Sequence, residues 1–257
     1  MHDIDHFTAL ALKLANASRS EIITRFRTGI AVDAKSDSSP VTEADRAAER
    51  VMRKYINEAF PEHGILGEEF GTENADAEYV WVLDPIDGTN SFVTGKPLFG
   101  TLIALCRNGV PIVGVIDAPA VGERWLGAEG QHTRRNDHPV QTRTCEGLDS
   151  AWLYATTPDM FEGANMDAFM RLKDSVWRTV YGGDCYAYGL LASGHVDLVC
   201  EANLGTYDFA ALVPVIEGAG GVITDWNGEA VTMQTDGRVL AAGDKDIHAA
   251  ALERLKG

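Results

Sequence analysis

The sequence predicts an α/β protein in which an α+β half is followed by an α/β half. Apolar residues recur at helical spacing near the start of the chain, and apolar segments typical of strands run from residue 79 to 128. After residue 150 the helical and strand patterns alternate. Periodicity is lost between Cys145 and Ser150, so we expect the halves to span residues 1–145 and 146–257.

Two helices are expected at the start of the chain. Apolar residues recur every three to four positions from Ile4 to Leu14, which predicts an amphipathic helix running to about Arg27. Thr42, with Asp45 three residues later, is typical of a capping box that opens a second helix. Pro61 indicates where this second helix stops.

Strands dominate the rest of the first half, and both element types occur in the second. The strand segments are YVWVLD, LFGTLIALCR, VPIVGVIDA and ERWLGA, and the Asn108-Gly109 pair predicts a tight hairpin between the second and third of them. In the second half we expect helices over 166–174, 184–194, 207–218 and 244–256, with strands at VDLVC and GGVIT.

Charge and composition exclude several classes of protein. The 257 residues carry 38 Asp and Glu against 22 Lys and Arg, a formal net charge of −16 at pH 7, which excludes a general nucleic-acid binder. No stretch approaches the roughly 20 apolar residues that cross a bilayer, and the start of the chain does not resemble a secretory signal. The four cysteines form no CxxC pair, so no zinc site is predicted. We expect a cytoplasmic protein that binds no membrane.

The segment WVLDPIDGTNSF concentrates residues that bind ions. Asp84 comes at the end of a predicted strand and Asp87 follows three residues later on a turn that Pro85 stiffens, so both carboxylates can face one centre. Gly88 and Thr89 offer backbone N–H groups to an anion at the same turn. Because Asp, Pro and Gly all favour turns, a simple polar surface turn is the alternative interpretation.

Two further acids could complete a metal site. Glu68 lies in a GEE motif after an apolar pair, and Asp208 lies near the start of a predicted helix. Several converging carboxylates repel one another unless cations neutralise them, and oxygen ligands without His or Cys favour Mg²⁺ or Mn²⁺ over zinc. Taken singly, Glu68 could be a solvated acid and Asp208 a helix cap, and spacing alone does not establish that they converge.

The combination of motifs resembles the Mg²⁺-dependent inositol monophosphatase-like phosphatases over nearly the whole chain. The matching segments are GEE at 67–69, WVLDPIDGTNSF at 81–92, and YDFAA to GAGG at 207–221. The resemblance implies a layered αβαβα sandwich, a homodimer, and two or three Mg²⁺ per site. The metal ligands that it implies, most of them in the first half, are Glu68, Asp84, the Ile86 carbonyl, Asp87 and Asp208.

The resemblance also implies a mechanism and catalytic residues. Asp45 would pair with Thr89 to orient and help deprotonate the attacking water, with Glu68 as the third catalytic residue; the capping-box role of Asp45 stays an alternative. Lys35 matches a family lysine in a mobile loop near a metal. The reaction expected is in-line displacement without a covalent phosphoenzyme, the backbone N–H groups near Gly88 and Thr89 holding the phosphate.

One departure from the inositol-phosphatase pattern concerns the substrate. Asp184 falls where those members have a small residue beside the substrate ring, and Glu201 matches the family's substrate-contacting acid. A carboxylate there favours a cationic leaving group, and the surrounding segment resembles the histidinol-phosphatase branch. The residues expected to contact the substrate are Asp87, Gly88, Thr89, Asp184, Glu201 and Asp208.

Alternatives remain for this residue and for the function. Asp184 could instead cap the helix that starts there. The chain could be an inositol or broad sugar monophosphatase, or a regulatory binding protein on the same fold. Histidinol-phosphate phosphatase, acting in histidine biosynthesis, is the function that the resemblance to the histidinol-phosphatase branch favours.

Overall fold

A computed structural model describes residues 4–29, 31–34 and 40–256, so the predicted role of Lys35 lies outside the described residues. The helices are α1 (Ile4–Ile23), α2 (Glu43–Ala59), α3 (Thr89–Val93), α4 (Ala164–Lys173), α5 (Cys185–Ala192), α6 (Thr206–Phe209), α7 (Leu212–Gly218) and α8 (Lys245–Lys256). The strands are β1 (Val32–Ala34), β2 (Pro40–Thr42), β3 (Gly64–Gly67), β4 (Gly71–Glu73), β5 (Tyr79–Asp87), β6 (Gly100–Arg107), β7 (Val110–Ala118), β8 (Glu123–Ala128), β9 (Arg134–Arg135), β10 (His138–Pro139), β11 (Trp152–Ala155), β12 (Arg178–Tyr181), β13 (Leu198–Glu201), β14 (Val222–Asp225) and β15 (Val239–Ala242). Two 3₁₀ turns lie at Leu148–Ser150 and Pro158–Met160.

Two large sheets organise the described residues. The first has the order β10-β9-β8-β7-β6-β5-β3-β4 and is antiparallel except where β3 runs parallel to β5. The second has the order β12-β11-β13-β15-β14, with β11 parallel to both of its neighbours. The division predicted at residue 145 falls between the two sheets, and that each half is a separate domain stays a prediction.

Helices cover both faces of the first sheet, because its strand β5 is apolar on both faces. Trp81 and Leu83 face α1 and α2, whereas Val80 and Val82 face the helices of the second half. The far side of the second sheet packs on α4 and α8. The layers are therefore α1 and α2, the first sheet, α5 to α7, the second sheet, and α4 with α8, which confirms the predicted αβαβα sandwich.

Two glycines let α7 and the residues before it approach the first sheet closely. A Cβ added to Gly114 of β7 would lie 2.0 Å from the Ala211 carbonyl oxygen, and one added to Gly127 of β8 would lie 2.2 Å from the Pro214 carbonyl oxygen. Only glycine leaves room for backbone at this distance. The structure differs from the prediction in this region, because the single helix expected over 207–218 is broken into α6 and α7.

Proline accounts for that break. Pro214 has no N–H to donate and its ring clashes with the carbonyl four residues earlier, at Ala210, so a continuous helix is disfavoured. The first helix also ends earlier than predicted, at Ile23. Arg27 has a φ of 59°, in the left-handed region, and its guanidinium donates to the Gly95 carbonyl.

Predictions that depend on a few neighbouring residues were more accurate than the predicted helix ends. Thr42 and Asp45 form the predicted capping box of α2, and Asn108 and Gly109 have φ values of 51° and 80°, as a type I′ hairpin turn requires. Strands β1 to β4, β9 to β12 and β15 were not predicted; each has only two to four residues, too few for a clear alternation. No helix among the described residues is long and apolar enough to span a membrane.

Candidate active site

A bulge at the end of β5 brings two predicted ligands to one side. Asp84 is opposite Leu102 and Asp87 is opposite Gly100, so β5 uses three residue steps where β6 uses two. In a regular strand, side chains three positions apart point to opposite faces, and one extra residue reverses this. Thr101 donates to the Pro85 carbonyl at 2.8 Å and holds the irregular segment in place.

Asp208 joins these two acids from the second half. Its carboxylate accepts a 2.6 Å hydrogen bond from the Gly205 N–H, so the helix-cap interpretation holds for this residue. The same side chain also reaches the first sheet: one oxygen each from Asp84, Asp87 and Asp208 lies within 4.8 Å of the others. Three of the four carboxylates that the resemblance implied as ligands therefore converge.

The three carboxylates are electrostatically unfavourable together. Burial raises the pKa of Asp84, and the charges of Glu68, Asp87 and Asp208 raise it further. Burial followed by the charge of Asp184 raises the pKa of Asp87, and burial raises the pKa of Asp208 to about 7. Each shift reflects negative charge that lacks compensation.

The contacts of these acids fit a hard cation. Oδ1 of Asp84 is buried and accepts no hydrogen bond among the described residues. No described lysine or arginine forms an ion pair with Asp84, Asp87 or Asp208. A cluster of carboxylate oxygens without histidine or thiolate is the donor set of Mg²⁺ or Mn²⁺. The residues present could thus hold such an ion.

Glu68 and Ile86 lie beside this cluster. Glu68 follows β3, and its N–H donates to the Leu83 carbonyl of the parallel strand β5 at 3.1 Å, so both strands deliver their acids to the same edge. The Ile86 carbonyl accepts a 3.0 Å hydrogen bond from Oγ1 of Thr89. The ligand roles of Glu68 and Ile86 stay predictions.

The predicted pair of Asp45 and Thr89 is not seen. Oδ2 of Asp45 accepts from the N–H and the hydroxyl of Thr42 at 2.8 and 2.6 Å, and Thr89 donates to Ile86 instead. No hydrogen bond joins Asp45 to Thr89 in the part of the chain that the structure describes. Asp45 is buried, which raises its pKa, and the Glu68 charge adds to this shift.

A cleft of about 110 Å³ extends from Asp87 and Asp208 toward the second half. The other residues that line it are Thr156, Met160, Asp184, Cys185, Tyr188, Glu201 and Leu204. The two acids predicted to contact the leaving group therefore border the same space as two predicted metal ligands. Gly88, with a φ of 83°, lies against Asp184, since a Cβ on Gly88 would be 2.9 Å from Cγ of Asp184.

Asp184 occupies the N-cap position of α5 but does not cap it. Its φ is 46° and its side chain accepts no hydrogen bond from the helix. Oδ2 instead accepts a 2.9 Å hydrogen bond from Oγ of Ser91, which lies 93 residues earlier in the chain. The alternative in which Asp184 only caps the helix is therefore wrong.

Glu201 is held by two donors at the other side of the cleft. Oε1 accepts from the Thr156 N–H at 2.8 Å, and Oε2 accepts from the Tyr188 hydroxyl at 3.0 Å. Burial raises the pKa of Glu201, while both donors oppose that shift. Thr156, Tyr188 and Ser91 were not among the predicted site residues. Ser91 lies within the WVLDPIDGTNSF motif, and Tyr188 lies four residues after Asp184 in the segment that resembles the histidinol-phosphatase branch, whereas no motif includes Thr156.

Comparison with known proteins identifies the family. A sequence model of the inositol monophosphatase family matches residues 3–256. The chain is 50% identical over 263 residues to the chloroplastic bifunctional phosphatase IMPL2 of Arabidopsis thaliana, covering 99% of this chain and 76% of the relative. It is 39% identical to the histidinol-phosphatase of Mycobacterium tuberculosis, covering 86% and 88%.

A solved structure supports the same assignment. An inositol monophosphatase from Zymomonas mobilis superposes with a TM-score of 0.92 at 43% identity, and the match covers 100% of both chains. The fold, the motifs and these relatives agree. The chain belongs to the inositol monophosphatase family of phosphatases, as the sequence predicted.

Proposed function

We propose that this phosphatase hydrolyses L-histidinol phosphate to histidinol and phosphate, a step of histidine biosynthesis. The observation that carries the proposal is the carboxylate of Asp184, which faces the cleft instead of capping its helix. The 39% identity to a histidinol-phosphatase supports it. We also propose that the enzyme is a homodimer, as the family resemblance implies, and that it is cytoplasmic.

The charge of the cleft favours a cationic leaving group. Asp184 and Glu201 border the cleft beside Asp87 and Asp208, and burial weakens the screening of their charges by water. Histidinol carries an ammonium group and an imidazole that can be protonated, whereas inositol carries only hydroxyl groups. Opposite charges across a partly buried cleft attract, so histidinol phosphate should be preferred to the phosphate ester of an uncharged polyol.

The acidic cluster is proposed to hold two or three Mg²⁺, with Mn²⁺ as a substitute. The residues that would hold these ions are Glu68, Asp84, the Ile86 carbonyl, Asp87 and Asp208. The chemistry that such ions supply when bound is neutralisation of charge on the phosphoryl group and acidification of water. The orphaned Oδ1 of Asp84 is the observation that best fits an ion here.

The remaining roles belong to side chains and backbone beside the cluster. Because Thr89 donates its hydroxyl proton to the Ile86 carbonyl, its oxygen can accept a hydrogen bond from the attacking water and so orient it. We propose that Glu68 and Asp45 help this water to lose a proton. The water oxygen bonds to phosphorus as the ester P–O bond breaks, and the leaving oxygen gains a proton. Backbone N–H groups at Gly88 and Thr89 are proposed to bind the phosphate.

The test is a comparison of phosphate release from three esters in Mg²⁺: histidinol phosphate, inositol 1-phosphate and glycerol 2-phosphate. We expect kcat/KM for histidinol phosphate to exceed that for each of the two esters of an uncharged alcohol by at least about tenfold, as one well-placed ion pair would provide. A preference for inositol 1-phosphate would refute the proposal. That result would favour the second candidate, an inositol monophosphatase, which the similarity to the Zymomonas mobilis structure supports.

A further inference from the structure

Three hydrogen bonds connect the segment 87–96, which carries the acidic motif, to the loop 182–185 of the second half. The Cys185 N–H donates to Asp87, Ser91 donates to Asp184, and the Lys96 ammonium donates to the Gly182 carbonyl. The two segments are distant in sequence, so nothing local fixes the loop in this position. We call these residues of the two segments the loop clamp.

Within the segment 87–96, the two donors of the loop clamp, Ser91 and Lys96, are bonded to each other through the backbone. The Lys96 N–H donates to the Ser91 carbonyl at 2.8 Å, and Gly95, with a φ of 78°, provides the turn between them. Ser91 is buried in α3, within the WVLDPIDGTNSF motif. This backbone bond fixes the distance between Ser91 and Lys96, whose hydroxyl and ammonium groups both contact the loop 182–185.

The loop needs such support, because its backbone is unfavourable. Asp184 has a φ of 46°, a region that residues other than glycine seldom adopt, and it gains no capping bond from α5 in return. Gly182 also has a positive φ of 82°. Without donors to Asp184 and to the Gly182 carbonyl, we expect the loop to relax and the Asp184 carboxylate to turn away from the cleft.

The clamp leaves part of Asp184 for a ligand. Ser91 uses Oδ2, and the Lys96 ammonium is bonded to a backbone carbonyl and not to the carboxylate. Oδ1 accepts no hydrogen bond among the described residues, and Asp184 lines the cleft. Burial raises the pKa of Asp184, and the Ser91 hydrogen bond and the Lys96 charge oppose that shift.

We propose that Ser91 and Lys96 are positioning residues that hold the loop 182–185 so that Asp184 contacts the cationic leaving group. Neither is proposed to touch the substrate. The inference rests on the proposed function, because it explains how the preference for an ester with a cationic leaving group is maintained. It adds two residues, from the first half of the chain, to the determinants of specificity.

Ser91→Ala and Lys96→Met test the proposal, each measured with histidinol phosphate and glycerol 2-phosphate in Mg²⁺. We expect each variant to lower kcat/KM for histidinol phosphate by about tenfold or more, mainly through KM, since a hydrogen bond to a charged group is lost or the loop is released. Glycerol 2-phosphate should change by less than about twofold. Ser91→Thr and Lys96→Arg, which keep the donors, should recover most of the preference.

Matched controls remove the same groups elsewhere. Ser175→Ala deletes a hydroxyl that, among the described residues, bonds only to the Leu172 carbonyl, and Lys54→Met deletes an exposed ammonium on α2. Both should keep the wild-type ratio of the two esters. Because Lys96 is half-buried whereas Ser91 is buried, we expect Lys96→Met to disturb the fold less than Ser91→Ala. Lys96→Met can therefore test the positioning role if Ser91→Ala lowers the melting temperature.

The outcomes separate the two proposals. If wild type shows no preference for histidinol phosphate, the proposed function fails. If wild type shows the preference and folded Lys96→Met or Ser91→Ala keeps it, or loses activity equally on both esters, the positioning role is refuted while the proposed function stands. A selective loss that the donor-keeping variants restore would support the role.

Discussion

The backbone N–H of Cys185 donates a 2.5 Å hydrogen bond to Oδ2 of Asp87. Cys185 is the first residue of α5, and Asp87 is the last residue of β5, so the bond links the helix after Asp184 to the acidic cluster. Asp87 thus belongs to both parts of the site: one oxygen can face a cation while the other holds the loop.

Asp87→Asn should separate these two roles. Asparagine keeps an oxygen that can accept from the Cys185 N–H, but it removes one negative charge from the cluster. We expect kcat to fall by about 10³-fold or more, because several kcal/mol of stabilisation through the cation would be lost. The melting temperature should be unchanged or higher. Exposed Asp76→Asn is the control, and clear residual turnover by Asp87→Asn in Mg²⁺ would contradict its role as a ligand.

Asp84 and Asp117 are both fully buried acids of the first sheet, yet we expect opposite effects from neutralising them. Asp117 is paired with Arg19 and Arg124, whereas Asp84 has no ion pair among the described residues. In the presence of a chelator, Asp84→Asn should raise the free energy of unfolding by about 1 kcal/mol or more, because an uncompensated charge is removed. Asp117→Asn should lower it by about 3 kcal/mol.

Adding Mg²⁺ completes this test. The ion should raise the melting temperature of wild type and of Asp117→Asn, because a ligand that binds only the native state stabilises it. It should have little effect on Asp84→Asn. Denaturant unfolding with chelator and thermal unfolding with Mg²⁺ measure the two effects, and a destabilised metal-free Asp84→Asn would argue against a cation site.

Sequence reasoning predicted what depends on neighbouring residues. The Thr42 and Asp45 capping box and the Asn108-Gly109 turn are determined within four residues, and both were correct. The contact of Ser91 with Asp184 was not predictable, because it joins residues 93 apart and depends on an unusual φ. Spacing could not show that Asp208 approaches β5 either; the family resemblance supplied that expectation.

His248 should make stability depend on pH. It is buried on α8 with Nε2 3.0 Å from Oγ1 of Thr224, and burial lowers its pKa. The unfolded state, with a histidine pKa of about 6.5, therefore binds a proton more readily than the native state. This contribution to stability is complete above that pKa and is lost as the pH falls below it, with a slope of at most about 1.4 kcal/mol per pH unit.

His248→Gln should remove that contribution. Unfolding by urea between pH 8 and pH 5 should show a smaller loss of stability in the variant than in wild type, whereas exposed His138→Gln should follow wild type. Parallel curves for wild type and His248→Gln would show that the histidine does not contribute.

Asp184 and Asp244 both precede a helix, and replacing them should have contrasting effects. Oδ1 of Asp244 accepts from the N–H groups of Asp246 and Ile247 at 2.9 and 3.0 Å, so Asp244 is a true cap of α8. Asp244→Ala should lower the free energy of unfolding by about 1 kcal/mol and leave the ratio of kcat/KM values for histidinol phosphate and glycerol 2-phosphate unchanged.

Asp184→Asn should do the reverse. Asparagine tolerates a positive φ and can still accept from Ser91, so stability should change by less than about 0.5 kcal/mol. The negative charge beside the leaving group is lost, so the preference for histidinol phosphate should fall by about tenfold or more while glycerol 2-phosphate turnover persists. Phosphate release and urea unfolding of the two variants measure both properties. A destabilised Asp184→Asn with wild-type preference would mean that this acid supports the fold and not the choice of substrate.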